Sequence, residues 1–265
     1  MTIDDLGENW DALGRSDPMW VILTDPSKRG NKWQAEEFFA TGVRDIHETV
    51  RYAESLVPFR KGRALDFGCG IGRLTQALAN YFDRVDGVDI SRSMIEAANR
   101  HNKRGDRCRY HLNRTASLEL FERDAFDFVL SFITLQHIEP AYSRRYIADL
   151  VRVLAPGGCL VFGLADRPLN PLKAWLKDVV PDALLRPYRA IRDGGKPAIR
   201  MYGMKPREVI ALLTGCGAAV MGVDEFADRV QSHPSAVRSS TFTRYVDKLS
   251  APWAQWHQYR YCCTK

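Results

Sequence analysis

No stretch of this sequence stays apolar for the roughly 18 to 20 residues that a helix needs to cross a bilayer. The first fourteen residues, Met1 to Gly14, are acidic where a secretory leader would be basic and then apolar, so the expected location is the cytoplasm. No Cys-x-x-Cys pair occurs among Cys69, Cys108, Cys159, Cys216, Cys262 and Cys263, and their spacings match no common zinc site. Buried free thiols are the expectation, and no metal is expected, because the histidines are scattered. Internal repeats, low-complexity tracts and a basic tail are also missing, which argues against a solenoid and against an appended nucleic-acid module. A net charge of +6 is compatible with an acidic ligand but decides little by itself.

What is present is the pattern of an α/β protein. The first thirty residues are rich in turn formers, yet they carry Trp10, Met19, Trp20, Val21 and Ile22, too much apolar surface for a solvated tail. A helix is expected from about Lys32 to Leu56, with Asn31 and Gln34 forming a variant capping box. From residue 62 short apolar runs alternate with helical stretches. Strands are expected at 63–67, 85–90, 108–112, 126–132 and 159–164, and helices at 73–82, 93–102 and 143–154. Such alternation implies βαβ units, right-handed crossovers and helices on both faces of a parallel sheet. A proline-rich stretch, 167–203, reads as a helical insertion. A helix at 205–214 and strands at 218–226 and 258–264 follow, the two strands forming a terminal antiparallel pair near Val223 and Tyr259.

The chemistry concentrates where the first strand meets glycines: Leu65-Asp66-Phe67-Gly68-Cys69-Gly70-Ile71-Gly72-Arg73. Glycine lacks a Cβ, so the backbone there can take positive φ and lie against a ligand. In an open parallel sheet, ligands collect outside the carboxyl ends of the strands. Asp89 ends the second strand, where a carboxylate can accept hydrogen bonds from two ribose hydroxyls.

This stretch resembles the first motif of the class I S-adenosylmethionine (SAM)-dependent methyltransferases. Phe126-Asp127-Phe128-Val129-Leu130-Ser131 resembles their fourth-strand motif, and Leu154-Ala155-Pro156-Gly157-Gly158 the turn before their fifth strand. The resemblance covers residues 60 to 165 well and 203 to 265 loosely. It implies a seven-stranded, mostly parallel Rossmann-like sheet with a helical N-terminal cap at 1–57. A SAM-binding domain at 58–265 would carry the insertion 167–203 as a substrate lid. The resemblance also implies roles for residues. Asp66 and the backbone of Gly68, Cys69, Gly70 and Gly72 would hold the methionine end, Asp89 the ribose, and Ile90 the adenine. Met94 would close the other adenine face or belong to the core. The third-strand loop, Asn113 to Leu118, lacks the acid that family members often place there, so backbone around Ser117 and Leu118 would serve the adenine. NAD is the competing cofactor, but its fingerprint needs glycines at positions one, three and six, whereas here they fall at one, three and five.

On the acceptor side, Gln136 and His137 lie just past the fourth strand. His137 is expected to act as a general base, or else to bond its own loop. Thr41 and Gly42 are expected to touch the cofactor. Trp20, Trp33, Trp175 and Tyr202 are expected to contact the acceptor, under a lid or as the core of the cap. Arg186, Arg189, Arg192, Lys196 and Arg200 either grip an acidic acceptor or form a solvated face. The chain has Ser131-Phe132-Ile133-Thr134 where base-amine methylases have Asn/Asp-Pro-Pro-Tyr/Phe. A small molecule, acidic or glycosidic, with a sugar or natural-product hydroxyl favoured, is the expected acceptor rather than a nucleic acid. A non-catalytic SAM-binding subunit is the remaining alternative.

Overall fold

A computed structural model describes residues 2–168, 199–225 and 256–265. Seven strands form one sheet: β1 (Arg63–Phe67), β2 (Arg84–Asp89), β3 (Cys108–Leu112), β4 (Phe126–Ser131), β5 (Leu154–Pro168), β6 (Ala219–Glu225) and β7 (Trp256–Thr264). Their order is β3-β2-β1-β4-β5-β7-β6. The first five run parallel, and β7 is antiparallel to both β5 and β6. The expected terminal pair forms, with Val223 opposite Tyr261 and Tyr259 opposite Glu225.

Helices cover both faces. α3 (Ala35–Leu56) and α4 (Arg73–Leu78) pack one face, where Ile46, Val50, Leu78 and Phe82 meet Ala64, Val85, Phe128 and Val161. On the other face α6 (Pro140–Val153) and α7 (Pro206–Gly215) bring Ile147, Leu150, Val209 and Leu213 against Leu65, Val129, Phe162 and Tyr261. Strands buried on both faces explain why β1 and β4 read as continuous apolar runs rather than alternating ones. α5 (Arg92–His101) joins a third cluster, in which Met94 and Ala97 pack with Leu13, Val21, Trp33, Phe38 and Ile71.

The N-terminal segment is helical: α1 (Ile3–Ser16) and α2 (Pro18–Ile22) lie over the end of the sheet. α1 opens on a capping box, in which Thr2 Oγ1 accepts from the Asp5 amide at 3.1 Å and Asp5 accepts from the Thr2 amide at 2.8 Å. The capping box expected at Asn31 and Gln34 does not form. Asn31 takes a left-handed φ of 58°, with its amide held by the Asp17 carboxylate at 3.0 Å, so α3 starts only at Ala35. The expected insertion falls almost wholly outside the described residues. All six cysteines are free, and all but Cys216 are buried. No helix among the described residues is long and apolar enough to cross a membrane.

Candidate functional site

A cavity of about 930 Å³, its mouth included, opens at the carboxyl ends of β1, β2 and β4. Its floor is the turn from β1 into α4. Gly68, Gly70 and Gly72 have φ of 78°, 52° and 83°, in the left-handed region that side chains avoid. A Cβ on Gly68 would sit 2.1 Å from Thr134 Oγ1, and one on Gly70 would sit 2.7 Å from Ile22 Cδ1, so the bare backbone is needed twice over. The Gly68 and Cys69 amides donate to the Val88 carbonyl at 2.8 and 3.1 Å, which ties the loop to β2.

Two carboxylates face the cavity. Asp66 is 1% exposed and accepts the Thr75 hydroxyl at 2.7 Å. Burial raises its carboxyl to about 6, against the opposing pull of the Thr75 hydrogen bond and Arg73. Asp89 accepts from the Gly70 amide at 2.8 Å and the Ser91 amide at 2.9 Å. Burial raises its carboxyl too, while those amides oppose the rise. Desolvation by burial likewise pushes the Cys69 thiol well up, so it is an inert wall. Arg73 also lines the cavity. Its guanidinium pairs with Asp45 at 2.5 Å, both side chains being 2% exposed, and donates to Thr41 Oγ1 at 3.0 Å. Its Nε, buried, has no hydrogen-bond partner among the described residues.

His137 closes the far side, on the short turn after β4. Its Nδ1 lies 2.8 Å from the Arg200 carbonyl, an acceptor only, so the proton sits on Nδ1. Nε2 therefore carries the lone pair, and it has no hydrogen-bond partner among the described residues. Burial lowers the imidazole to about 4, so the ring is neutral at physiological pH. The roof comes from the N-terminal helices: Leu6 and Trp10 of α1, Val21 and Ile22 of α2.

Of the residues expected from sequence, Asp66, Gly68, Cys69, Gly70, Asp89, Ile90, Met94 and His137 all line this one cavity. Others do not. Gly72 packs under the Tyr110 hydroxyl, 2.4 Å from where its Cβ would be. Thr41 and Gly42 stand behind Arg73, and a Cβ on Gly42 would meet the Arg73 carbonyl at 2.5 Å. Ser117 and Leu118 have their backbone engaged elsewhere, the Ser117 carbonyl by Asn113 Nδ2 at 2.7 Å and the Leu118 amide by Asp149 at 2.9 Å. Asn113 itself is the residue of that loop that lines the cavity.

Trp20 and Trp33 donate their indole N–H to the Asp25 and Leu23 carbonyls, at 2.9 and 3.2 Å, and so pin the loop after α2. Gln136 is 1% exposed on the side of its turn that faces away from the cavity, its carbonyl taking the Tyr202 amide at 2.7 Å. Thr134 and His137, three apart on a 3₁₀ turn, share the face that does line it. Tyr202 lies beside Glu139. Trp175, Arg186, Arg189, Arg192 and Lys196 lie outside the described residues. Sequence reasoning missed Leu6, Arg73, Asn113 and above all Trp10. Only Arg73, directly after the third glycine, carried a local signal. No group of three or more His, Cys, Asp or Glu able to hold a metal occurs among the described residues.

Known proteins resemble this chain over part of its length and in its fold. A family model described as a methyltransferase domain matches residues 64–158. The chain is 31% identical over 134 residues to a ubiquinone biosynthesis O-methyltransferase of Coxiella burnetii, covering 49% of this chain and 54% of that one. It is 33% identical over 165 residues to the protein of the same description from Bradyrhizobium sp., covering 60% and 57%. The chain thus spans about half the length of the curated relatives it matches. Among solved structures, magnesium protoporphyrin IX methyltransferase from Synechocystis, crystallised with bound SAH, superposes with a TM-score of 0.61. It shares 15% identity, over 99% of each chain, and so shares the fold.

Proposed function

We propose that this chain is a class I, Rossmann-like SAM-dependent methyltransferase, a reading supported by the domain match and the shared fold, and that it transfers the methyl group of SAM to a hydroxyl of a small, largely apolar acceptor. One observation carries the proposal. A bare glycine turn, the carboxylates of Asp66 and Asp89, a buried guanidinium and a neutral imidazole with a free lone pair all meet in a single cavity.

These residues fit the cofactor by its chemistry. Asp66 accepts from the ammonium of its methionine end, and Arg73 Nε, a buried orphan donor, faces its carboxylate. Asp89 accepts from the ribose hydroxyls. Ile90 and Met94 take the adenine faces, with Leu6 and Asn113 beside them. Gly68 and Gly70 let the ligand reach the backbone. SAM, when bound, supplies an electrophilic methyl on a sulfonium. His137 Nε2 removes the acceptor proton as the oxygen attacks, while the Arg200 carbonyl fixes its tautomer. Alignment does the rest of the work, since an in-line displacement gains most from held geometry.

The lining from Leu6, Trp10, Ile22, Phe132, Ile133 and Ile138 favours an apolar ring over a sugar. The O-methyltransferase relatives also point to oxygen as the acceptor atom. The cap of residues 1–57 roofs the domain that follows. Calorimetry with SAM, S-adenosylhomocysteine and NAD tests the cofactor: the first two bind and NAD does not. Binding of NAD alone, or of none of the three, would refute the reading. Labelled methyl transfer to a panel of phenols, sugars and amines then tests the acceptor, and transfer only to sugars or amines would refute the hydroxyl-on-apolar-ring assignment.

A further inference from the structure

We infer that helix α1 belongs to the acceptor site itself: Trp10 is a positioning residue that holds His137, and a clasp around Asp11 holds Trp10. The inference rests on the reading of His137 as the base, but the contact it describes can be measured independently of turnover.

Trp10 and His137 lie 127 positions apart in the chain, yet their rings meet edge to face, with centroids 5.4 Å apart at 62°. The bond from Nδ1 to the Arg200 carbonyl fixes one corner of the imidazole and leaves it free to rock about that corner. The indole removes that freedom and closes the ring off from solvent, which leaves His137 5% exposed. Leu6 and Trp10, four residues apart, share the face of α1 that lines the cavity.

The next residue, Asp11, points to one side of that face and fastens the helix. Its Oδ1 accepts from the Ser91 hydroxyl and from the Ser93 amide, each at 3.0 Å. Its carbonyl accepts the Ser93 hydroxyl at 3.0 Å, and the Arg114 guanidinium pairs with Oδ2. Gly14 sets the depth of the dock: a Cβ there would come within 2.4 Å of Ser93 Oγ, whereas one on Gly7 would make only ordinary contact, 3.4 Å from Ile90 Cγ1. Gly7 and Gly14 are one heptad apart and so share a stripe of α1. Roll and depth of the helix are thereby fixed, and with them the indole. The clasp grips the α5 N-terminus directly after Asp89, so the ribose end of the cavity and the base are joined through one helix.

The test reads the imidazole directly, by ring NMR titration of the whole chain, with His137→Gln assigning the signal. The groups around it stay in place: Asp66, Asp89 and Arg73 in the cavity, and Tyr146 of α6, whose hydroxyl donates to the Thr115 carbonyl. In Trp10→Ala the His137 midpoint rises from about 4 towards the ordinary imidazole value of about 6.5. The acidic limb of kcat/KM follows it, and kcat falls by about 10- to 100-fold. Trp10→Phe, which keeps a ring edge, restores the low midpoint. Asp11→Asn, which loosens the clasp but keeps the tryptophan, moves the midpoint in the same direction by less. An unchanged His137 midpoint in Trp10→Ala overturns the inference, as it does in Asp11→Asn if Trp10→Ala fails to fold. If His137→Gln turns over at the wild-type rate while Trp10→Ala still moves the midpoint, the base role falls and the coupling of α1 to His137 stands.

Discussion

Lowering the pH from 7 to 5 should weaken SAM binding through one side chain. Asp66 is buried at the end of β1, and desolvation raises its carboxyl to about 6, with Asp89 adding to the rise and Thr75 and Arg73 opposing it. A raised carboxyl is neutral below that value and ionised above it. A ligand that brings an ammonium binds the ionised form, pulls the carboxyl down and releases a proton. Affinity therefore grows as pH climbs through 6 and levels off above. At pH 5 about ten in eleven molecules carry the proton, so the binding constant falls about tenfold from its value at pH 7, or about 1.4 kcal/mol. Calorimetry between pH 5 and 7, in two buffers of different ionisation enthalpy, reads both the affinity and the released proton. Asp66→Asn should bind more weakly and lose the slope. Asp89→Asn, which leaves the Asp66 carboxyl in place, should keep it. A wild-type affinity that stays level across this range, or an Asp66→Asn variant that keeps the slope, refutes the assignment of Asp66 to the ammonium.

Other consequences can be checked separately. Asp45→Ala strands the buried Arg73 guanidinium, and removal of one partner of such a pair costs about 3 to 5 kcal/mol, read as a fall in the urea midpoint. Gly68→Ala places a Cβ against Thr134 at a φ of 78°, and should cost about 1 to 3 kcal/mol of stability and abolish SAM binding by calorimetry. Asp86 accepts from Arg63 and His111 at 2.7 Å each, and despite burial these partners hold its carboxyl down to about 2. A depressed carboxyl stabilises the fold above its ordinary value of 3.8 and loses that contribution as pH falls through the window from there to about 2. Urea midpoints at pH 5 and pH 3 should therefore differ less in Asp86→Asn than in the wild type.

Much of the sheet was legible because buried parallel strands declare themselves as apolar runs. β1 and β3 fall at the expected residues, and the other strands lie within a few positions except β5, which begins earlier at Leu154 and runs on to Pro168. The end of the cavity at β1 and β2 was legible for a related reason: Asp66, Gly68, Gly70 and Asp89, which line it, are fixed by the two strand ends that carry them. The roof was not. Gly14 and the Asp-Pro step at Asp17 read as turn formers, yet Gly14 sits inside α1, where its cost of about 1 kcal/mol is offset by the close approach to Ser93 of α5. Nothing local says which tryptophan of the N-terminal segment turns inward. The sequence favours Trp20 and Trp33 over Trp10, but their indole N–H groups are taken by nearby carbonyls, and only the tertiary fold decides that. Gln136 does not line the cavity for a one-residue reason, since on a tight turn the neighbour of an inward side chain faces elsewhere.

The placement of β7 between β5 and β6 carries a consequence for how the molecule is made. Among the described residues β6 pairs only with β7, and β5 keeps a bare hydrogen-bonding edge until β7 arrives. The residues that fill this gap, 256 to 264, are synthesised after the other six strands described. While the ribosome is still reading the preceding stretch, the nascent protein presents an open edge of the kind that recruits other chains. Escape from aggregation during synthesis thus depends on the last strand threading into the slot quickly, and a destabilising change in β7 should lower soluble yield before it alters the activity of what survives.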